Sequence, residues 1–209
     1  LNFKVGGEPL RPVEPVSGKR SDLSRRNNDN SARLFEITEW NQLKSRQPFY
    51  AQVNLPTTWN KRSLQLGGGG LNGTLVTGLG PARADGPETP LPLTRGYMTL
   101  GTDSGHTGAT GDFALNDEAL KNYQYASYKK TRDVGVELAR RFYGAKPLKA
   151  YYIGGSEGGR EGMLMAQRYP ADFDGIVVVD PVIRLIGLWQ YQLSVGKVQS
   201  TPGSWLGGK

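Results

Sequence analysis

Hydrophobic and polar residues alternate along this chain in a way that predicts several short strands. Residues 49–55 alternate as a half-buried strand does, and Pro56 ends that run. Further short strands are predicted at residues 62–66, 96–100 and 150–153. The β-branched run at residues 176–179 predicts a central parallel strand that is buried on both faces.

Two helices are predicted between these strands. Asn116 is a favourable N-cap, two acidic residues follow it at the positive end of the helix dipole, and Gly144 stands where a helix stop belongs. Between them, apolar residues recur mostly every three or four positions and predict one buried stripe. A second helix is predicted from Glu157 to Arg168. The alternation of strands and helices predicts an α/β fold with a doubly wound, mostly parallel sheet.

Composition divides the chain into three parts. Residues 1–32 are rich in Pro, Arg, Asn and Ser and are predicted to form an N-terminal arm packed on the body, with one short strand from Leu1 to Val5. Residues 33–198 form the predicted core. Residues 199–209 are predicted to be an exposed segment where a precursor is cleaved or a lid begins.

Charge and residue usage narrow the class of protein. The formal net charge is +7, but the basic residues are scattered and no nucleic-acid-binding motif accompanies them, which favours a solvated basic surface over a nucleic-acid partner. No apolar run approaches the roughly 20 residues that cross a bilayer, so no membrane partner is expected. The absence of cysteine excludes disulfides and thiolate metal sites.

A five-residue motif carries the chemistry. Gly154-Gly155-Ser156-Glu157-Gly158 fits the G-x-S-x-G pattern of a nucleophile elbow, in which the chain turns sharply from strand to helix. This turn forces Ser156 into a sparsely populated backbone conformation and leaves no room for side chains at Gly154 and Gly158. The hydroxyl of Ser156 would stand at a helix N-terminus, where developing negative charge is favoured.

Other kinds of glycine-rich turn match this segment less well. A phosphate-binding Walker loop needs a Lys-Ser/Thr pair after its last glycine, whereas Arg160-Glu161 follows here. The dinucleotide pattern G-x-G-x-x-G does not fit Gly154 to Gly159. An ordinary strand-to-helix turn stays open as an alternative, but the predicted strand and helix on either side favour the elbow.

A second glycine-rich segment suggests where an oxyanion would bind. Acyl transfer needs two N–H donors, one from the residue after the nucleophile, Glu157, and one from a loop after an early strand. The run Gly67 to Gly70 directly follows the predicted strand 62–66. Gly69 or Gly68 is the predicted second donor.

The general base is harder to locate. His106 is the only histidine and precedes Ser156, whereas α/β-hydrolases place the acid and the histidine after the serine. His106 and Asp103 are therefore predicted to lie in or behind the wall of the substrate pocket. Asp180 ends a strand, but it comes one strand too early for the catalytic acid.

These residues resemble the tannase and feruloyl esterase family. The resemblance covers about residues 49–195 and is strongest at the elbow and at Phe173-Asp174-Gly175. It implies the N-terminal part of an α/β-hydrolase fold, with Ser156 as nucleophile and its oxyanion hole as above. It also implies a secreted or periplasmic location, and an Asp, a His and a lid further along the chain, the lid often holding calcium. No metal or other cofactor is expected in this chain itself.

This sequence departs from the family pattern at two places. The family usually has Cys where Gly155 stands, paired with a Cys next to the catalytic His, and the segment Asp180-Pro181-Val182 also differs. The lid and the last strands are missing from this chain. The leading hypothesis is thus a serine ester hydrolase whose Asp, His and lid lie on a second polypeptide from the same precursor or in a C-terminal part. Its substrate would be a small ester, with aromatic acyl groups favoured by the resemblance.

Two alternatives come from other functional classes. A non-catalytic binding or scaffold subunit would keep an elbow-like turn without a base. A self-processing amidohydrolase subunit would be cleaved after Lys209 to free a new N-terminal nucleophile on the next chain.

Overall fold

A computed structural model describes residues 49–203, which form a five-stranded sheet with helices packed against it. The strands lie in the order β1-β3-β2-β4-β5; β1 is antiparallel to β3 and all other neighbours are parallel. This topology confirms the predicted mostly parallel sheet. The strands are β1 (Ala51–Asn54), β2 (Arg62–Leu66), β3 (Met98–Thr102), β4 (Lys149–Gly155) and β5 (Gly175–Val179).

The two predicted helices occur in the predicted order along the chain. Two short 3₁₀ segments, Gly111–Leu115 and Pro170–Asp172, accompany them. The predicted arm at residues 1–32 and its strand at Leu1 to Val5 lie outside the described residues, as do residues 204–209. The helical segments are α1 (Asp117–Lys121), a π-helical turn (Asn122–Ala126), α2 (Ser127–Tyr143), α3 (Glu157–Arg168) and α4 (Leu185–Gln199).

The first predicted helix has the expected ends and an unexpected interior. The Asn116 side chain accepts hydrogen bonds from the N–H groups of Glu118 and Ala119 at 3.0 Å each, and Gly144 ends α2 with a φ of 71°. The π-helical turn interrupts the helix between these ends, where the Ser127 hydroxyl donates to the Asn122 carbonyl at 2.8 Å. One extra residue in a turn shifts the buried face without breaking the helix, so the apolar spacing alone does not locate it.

The core fills both faces of the sheet. On one face, α2 covers β1 and β3 through a buried cluster around Leu100 and Leu138. On the other face, Leu64, Leu66 and Ile153 pack under Ala82, which belongs to the long loop between β2 and β3. The same loop lies beside the carboxyl ends of β2 and β4.

The burial of β1 differs from the predicted half-buried strand, because all four of its residues are buried. Its polar face is covered by the loop at Thr77. The Asn54 amide donates to the Thr77 carbonyl at 2.7 Å and to the Thr99 hydroxyl at 2.9 Å, while Gln52 donates to Asn54 at 2.8 Å. Internal hydrogen bonds thus replace the water that the alternating pattern implies.

The predicted burial of residues 176–179 on both faces is wrong for the described part of the chain. Strand β5 pairs with β4 and stands at an edge of the sheet, where Val177 is 48% exposed. Helix α4 also exposes large apolar side chains, among them Ile186, Trp189 and Leu193. Within residues 49–203, no helix is long and apolar enough to cross a membrane.

Candidate active site

The predicted elbow lies between β4 and α3. Strand β4 ends at Gly155 and helix α3 begins at Glu157, so Ser156 makes the turn by itself. Its φ of 56° and ψ of −116° fall in a region that L-amino acids rarely adopt. The sparsely populated conformation predicted from the motif is therefore confirmed.

The two glycines of the motif are required by close backbone contacts. A Cβ atom at Gly154 would lie 2.3 Å from the carbonyl oxygen of Gly158. A Cβ atom at Gly158 would lie 2.8 Å from the carbonyl oxygen of Gly68. Since both contacts are to main-chain atoms, no rotation of a side chain would relieve them.

The main chain of Ser156 is held on both sides while its hydroxyl is not. The Ser156 N–H donates to the Val179 carbonyl at 2.9 Å, and the Ser156 carbonyl accepts from the N–H groups of Gly159, Arg160 and Val182. The residue is half-buried. No other residue within 49–203 forms a hydrogen bond with its hydroxyl. This hydroxyl is available to a bound molecule.

The glycine loop after β2 packs directly on the elbow. The Gly158 N–H donates to the Gly68 carbonyl at 3.1 Å, and the Gly67 N–H donates to the Ile153 carbonyl at 2.9 Å. The Gly68 N–H points inward and donates to the Glu161 carboxyl at 3.2 Å. The N–H of Gly69 has no acceptor among the described residues. Of the two predicted donors in this loop, Gly68 thus has its N–H group occupied, and the role of Gly69 stays a prediction.

The other predicted donor is the N–H of Glu157. Glu157 is the first residue of α3, where backbone N–H groups have no acceptor within the helix. Its side chain is buried and pairs with Arg160, whose Nε lies 2.7 Å from Oε1 of Glu157. Arg160 also donates to the carbonyls of Tyr123 and Gln124 in the π-helical turn. These contacts join the start of α3 to the π-helical turn.

The Ser156 residue and the glycine loop share one cavity of about 360 Å³. Arg83 is the only charged residue among the described ones that lines it, and its side chain lies directly over Gly155, where a Cβ would come within 2.5 Å of Nε. A larger depression on α4, beside Trp189 and Lys197, contains none of the predicted site residues. The cavity at Ser156 is lined by Leu66, Gly67, Gly68, Gly69, Val76, Thr77, Gly78, Gly80, Pro81, Arg83, Ile153, Gly154, Gly155 and Ser156.

Comparison with protein families gives a match over most of the chain. The family described as "Tannase and feruloyl esterase" matches residues 39–207, which include the elbow, the glycine loop and the sheet. This chain belongs to the tannase and feruloyl esterase family. The resemblance inferred from the motifs is thereby confirmed.

Individual relatives of this tannase-family chain include bacterial and fungal proteins. An uncharacterized esterase of Agrobacterium fabrum is 40% identical over 160 residues, covering 74% of this chain and 29% of the relative. Mono(2-hydroxyethyl) terephthalate hydrolase of Piscinibacter sakaiensis is 37% identical over 143 residues, covering 64% of this chain and 23% of that enzyme.

The solved structures agree with these relatives. An esterase from Aspergillus oryzae is similar with a TM-score of 0.65 and 29% identity, covering 82% of this chain and 31% of that one. Feruloyl esterase B from Aspergillus oryzae gives a TM-score of 0.58 and 31% identity, covering 72% and 28%. The α/β-hydrolase fold is confirmed, and this chain spans between 23% and 31% of the length of these four proteins.

His106 lies in an aromatic cluster rather than in the wall of the cavity at Ser156. It is 1% exposed, and its ring stacks on Phe113 at a centroid distance of 3.8 Å and meets the edge of Tyr123 at 5.8 Å. Burial lowers the pKa of His106, which favours the neutral imidazole. This environment agrees with the prediction that His106 is not the base, and its role near the substrate stays a prediction.

Asp103 has a structural environment at the end of β3. Its carboxylate accepts hydrogen bonds from the N–H groups of Tyr50 at 3.0 Å and Gly105 at 2.9 Å. Burial raises the pKa of Asp103, and these hydrogen bonds oppose that rise. Asp103 does not line the cavity at Ser156, so its predicted place near the substrate also stays a prediction.

Two features of the site were not found from the sequence. Arg83 comes from a loop without periodicity, and Glu161 lies three residues beyond the motif, where a charged residue on a helix normally faces water. Asp180 follows β5 as an exposed residue with a φ of 46°. Among residues 49–203, no three His, Asp or Glu side chains group together as metal ligands; the predicted lid calcium stays a prediction.

Proposed function

We propose that this chain carries the nucleophile of a serine carboxylic-ester hydrolase, and that Ser156 is the attacking residue. The observation that carries the proposal is the strained turn at Ser156, which leaves a hydroxyl without a hydrogen-bond partner among the described residues, at a cavity shared with the glycine loop. Membership of the tannase and feruloyl esterase family supports the same reaction class.

The proposed reaction proceeds through an acyl-enzyme. The Ser156 oxygen bonds to the ester carbonyl carbon while a base takes its proton, and the N–H groups of Glu157 and Gly69 stabilise the oxyanion. Collapse of the tetrahedral intermediate breaks the ester bond, and the base returns the proton to the departing alcohol. Water then attacks the acyl group, gives its proton to the base, and restores the Ser156 hydroxyl as the acid leaves.

The base and its orienting acid are proposed to come from polypeptide beyond the described residues. They would be an Asp and a His on a second chain from the same precursor or in a C-terminal part, together with a lid. The burial of His106 among aromatic rings supports this assignment. So do the half-exposed edge strand β5 and the apolar surface of α4, since large exposed apolar patches usually mark contact with other polypeptide.

Labelling with a fluorophosphonate tests the proposal against its alternatives. Covalent modification of Ser156 in the complete native protein is expected, because such probes react only with an activated serine. An inert Ser156 would favour the non-catalytic scaffold. Intact mass measurement of the same sample shows whether a companion chain is present, and a companion that begins with Ser, Thr or Cys would favour the self-processing amidohydrolase.

The substrate is proposed to be a small ester with an aromatic acyl group. Relatives named for feruloyl and terephthalate esters support the aromatic preference. A secreted or periplasmic location belongs to the same proposal and rests on the family resemblance. The cavity adds one preference of its own, for negative charge, because within residues 49–203 Arg83 is its only charged lining residue.

Replacing Arg83 with Gln is expected to raise KM for a carboxylate-bearing aromatic ester by roughly tenfold, because an ion pair is lost at a partly solvated site. KM for the matching neutral methyl ester is expected to change less than about twofold. Arg95→Gln is the control, since Arg95 pairs with Asp85 and does not line the cavity. Equal changes for both esters would contradict a charge preference at Arg83.

A further inference from the structure

A buried carboxyl group lies directly beneath the glycine loop. Glu161 on α3 is 1% exposed, and its Oε2 atom accepts the Gly68 N–H at 3.2 Å. Its Oε1 atom accepts from the Asn72 side chain at 3.2 Å. Glu161 therefore fixes the loop at Gly68, the residue that precedes the proposed donor Gly69.

The hydrogen bonds of Tyr152 indicate whether the carboxyl group of Glu161 is protonated. The Tyr152 hydroxyl lies 2.6 Å from Oε2 of Glu161 and 2.9 Å from the carbonyl oxygen of Gly158. A carbonyl oxygen only accepts, and a phenol has one hydrogen to donate. Two full hydrogen bonds at one hydroxyl thus require a second hydrogen, and of these two partners only the carboxyl of Glu161 can carry it.

The protonated arrangement satisfies every group. Glu161 donates to the Tyr152 oxygen, and Tyr152 donates to Gly158. Ionised Glu161 would instead take the Tyr152 hydrogen, so that the Tyr152 oxygen would face the Gly158 oxygen at 2.9 Å without a hydrogen between them. Two such oxygen atoms repel each other, which disfavours the ionised form in this geometry.

The charged surroundings of Glu161 act in the same direction. Burial raises the pKa of Glu161 to about 7, and the negative charge of Glu157 on the same helix adds to the rise. The Gly68 N–H and the cation Arg160 oppose it, as would a hydrogen bond donated by Tyr152 on β4 to the ionised carboxylate. The remaining titratable groups facing Glu161 are the phenols of Tyr123 and Tyr128, which stay neutral because burial raises their pKa.

We propose that Glu161 is a positioning residue that works as a neutral buried acid, and that its ionisation disables the oxyanion loop. The carboxyl proton completes the chain of hydrogen bonds from Glu161 through Tyr152 to the elbow at Gly158. Loss of that proton places a negative charge under the loop that has to stabilise an oxyanion. The catalytic part of this inference rests on the proposed function; the protonation of Glu161 does not.

The pH profile of kcat/KM for a neutral aryl acetate tests the catalytic part in the complete native protein. Activity is expected to fall by roughly tenfold as pH rises through about 7, because like charges at short range disfavour the transition state. Glu161→Gln should abolish this alkaline fall because the amide does not ionise, and should lower activity at every pH because an amide nitrogen that donates to Tyr152 cannot accept the Gly68 N–H. Glu137→Gln is the matched control on the surface of α2 and should follow the unmodified protein.

Tyr152→Phe supplies a second test with a defined sign. In the proposed arrangement Tyr152 accepts the Glu161 proton and so favours the neutral acid, and removal of its hydroxyl should therefore move the alkaline fall to lower pH. A residue with a merely structural role would lower activity at all pH values without moving the fall. An unchanged alkaline fall in Glu161→Gln would overturn the proposal.

Infrared difference spectroscopy measures the proton on Glu161 without any catalysis. The carbonyl stretch of a protonated carboxyl is expected to persist to about pH 7 and to be absent from Glu161→Gln. Its disappearance near pH 4.5 would overturn the neutral acid. If the band titrates near pH 7 while Ser156 does not react with a fluorophosphonate, the neutral acid is supported and the proposed function fails.

Discussion

Replacing Ser156 with alanine in the complete native protein is expected to lower kcat for ester hydrolysis by roughly a factor of a million. The variant removes the only atom proposed to bond to the acyl carbon. The fold should persist, because the turn is held by main-chain hydrogen bonds to Val179 and Val182 that alanine keeps. Turnover of an aryl ester and the circular dichroism spectrum measure the two effects.

Ser156→Gly separates chemistry from backbone strain. This variant should be as inactive as the alanine variant, because it also lacks the hydroxyl. It should be more stable than the alanine variant by about 1 kcal/mol, because glycine adopts a φ of 56° without penalty. Ser104→Ala is the matched control: Ser104 also has a positive φ, of 66°, and its hydroxyl donates to the adjacent Asp103 carbonyl. That control should retain kcat within a few-fold. Substantial turnover by Ser156→Ala would remove the proposed nucleophile.

Replacing Gly154 with alanine is expected to destabilise the protein by at least about 3 kcal/mol and to abolish activity. The new methyl group would lie 2.3 Å from the Gly158 carbonyl oxygen, so α3 has to move away from β4. The proposed nucleophile would move with it. Urea unfolding gives the stability change as a lower midpoint at an unchanged slope.

Gly196→Ala is the control for this effect. Gly196 lies inside α4, and a Cβ there has no atom within 4 Å. Alanine at this position should stabilise the protein by about 0.5–1 kcal/mol, because it lowers the backbone entropy of the unfolded chain. Similar destabilisation by both variants would mean that loss of a glycine, rather than the contact at Gly154, is responsible.

Local rules predicted most of the sheet and its helices from sequence. The cap at Asn116, the stop at Gly144 and the full span of α3 follow from propensity and spacing, which depend on neighbours along the chain. Helix α4 was not located, because its apolar side chains surround the helix and define no single face. Within the described residues β5 is less buried than predicted, since strand composition does not tell which neighbours a strand has.

The candidate site was also predicted only in part. The conformation of Ser156 and the glycines around it follow from one motif, because the turn itself demands them. The choice between Gly68 and Gly69 depends on Glu161, which is 93 residues from Gly68 in sequence and contacts the loop only in the folded chain. Arg83 reaches Gly155 from a loop whose path no periodicity defines. Such contacts between distant segments are outside what spacing can predict.

The contacts around the elbow indicate which positions tolerate substitution. Hydrogen bonds from β5 and the Pro181-Val182 segment fix the Ser156 backbone, so random changes there should blunt reactivity toward every ester. The loop between β2 and β3 forms a wall of the same cavity, and none of its lining residues forms a hydrogen bond with the Ser156 backbone; they are Val76, Thr77, Gly78, Gly80, Pro81 and Arg83. A directed-evolution library confined to that wall would alter which acyl groups are accepted while leaving the reactive centre intact.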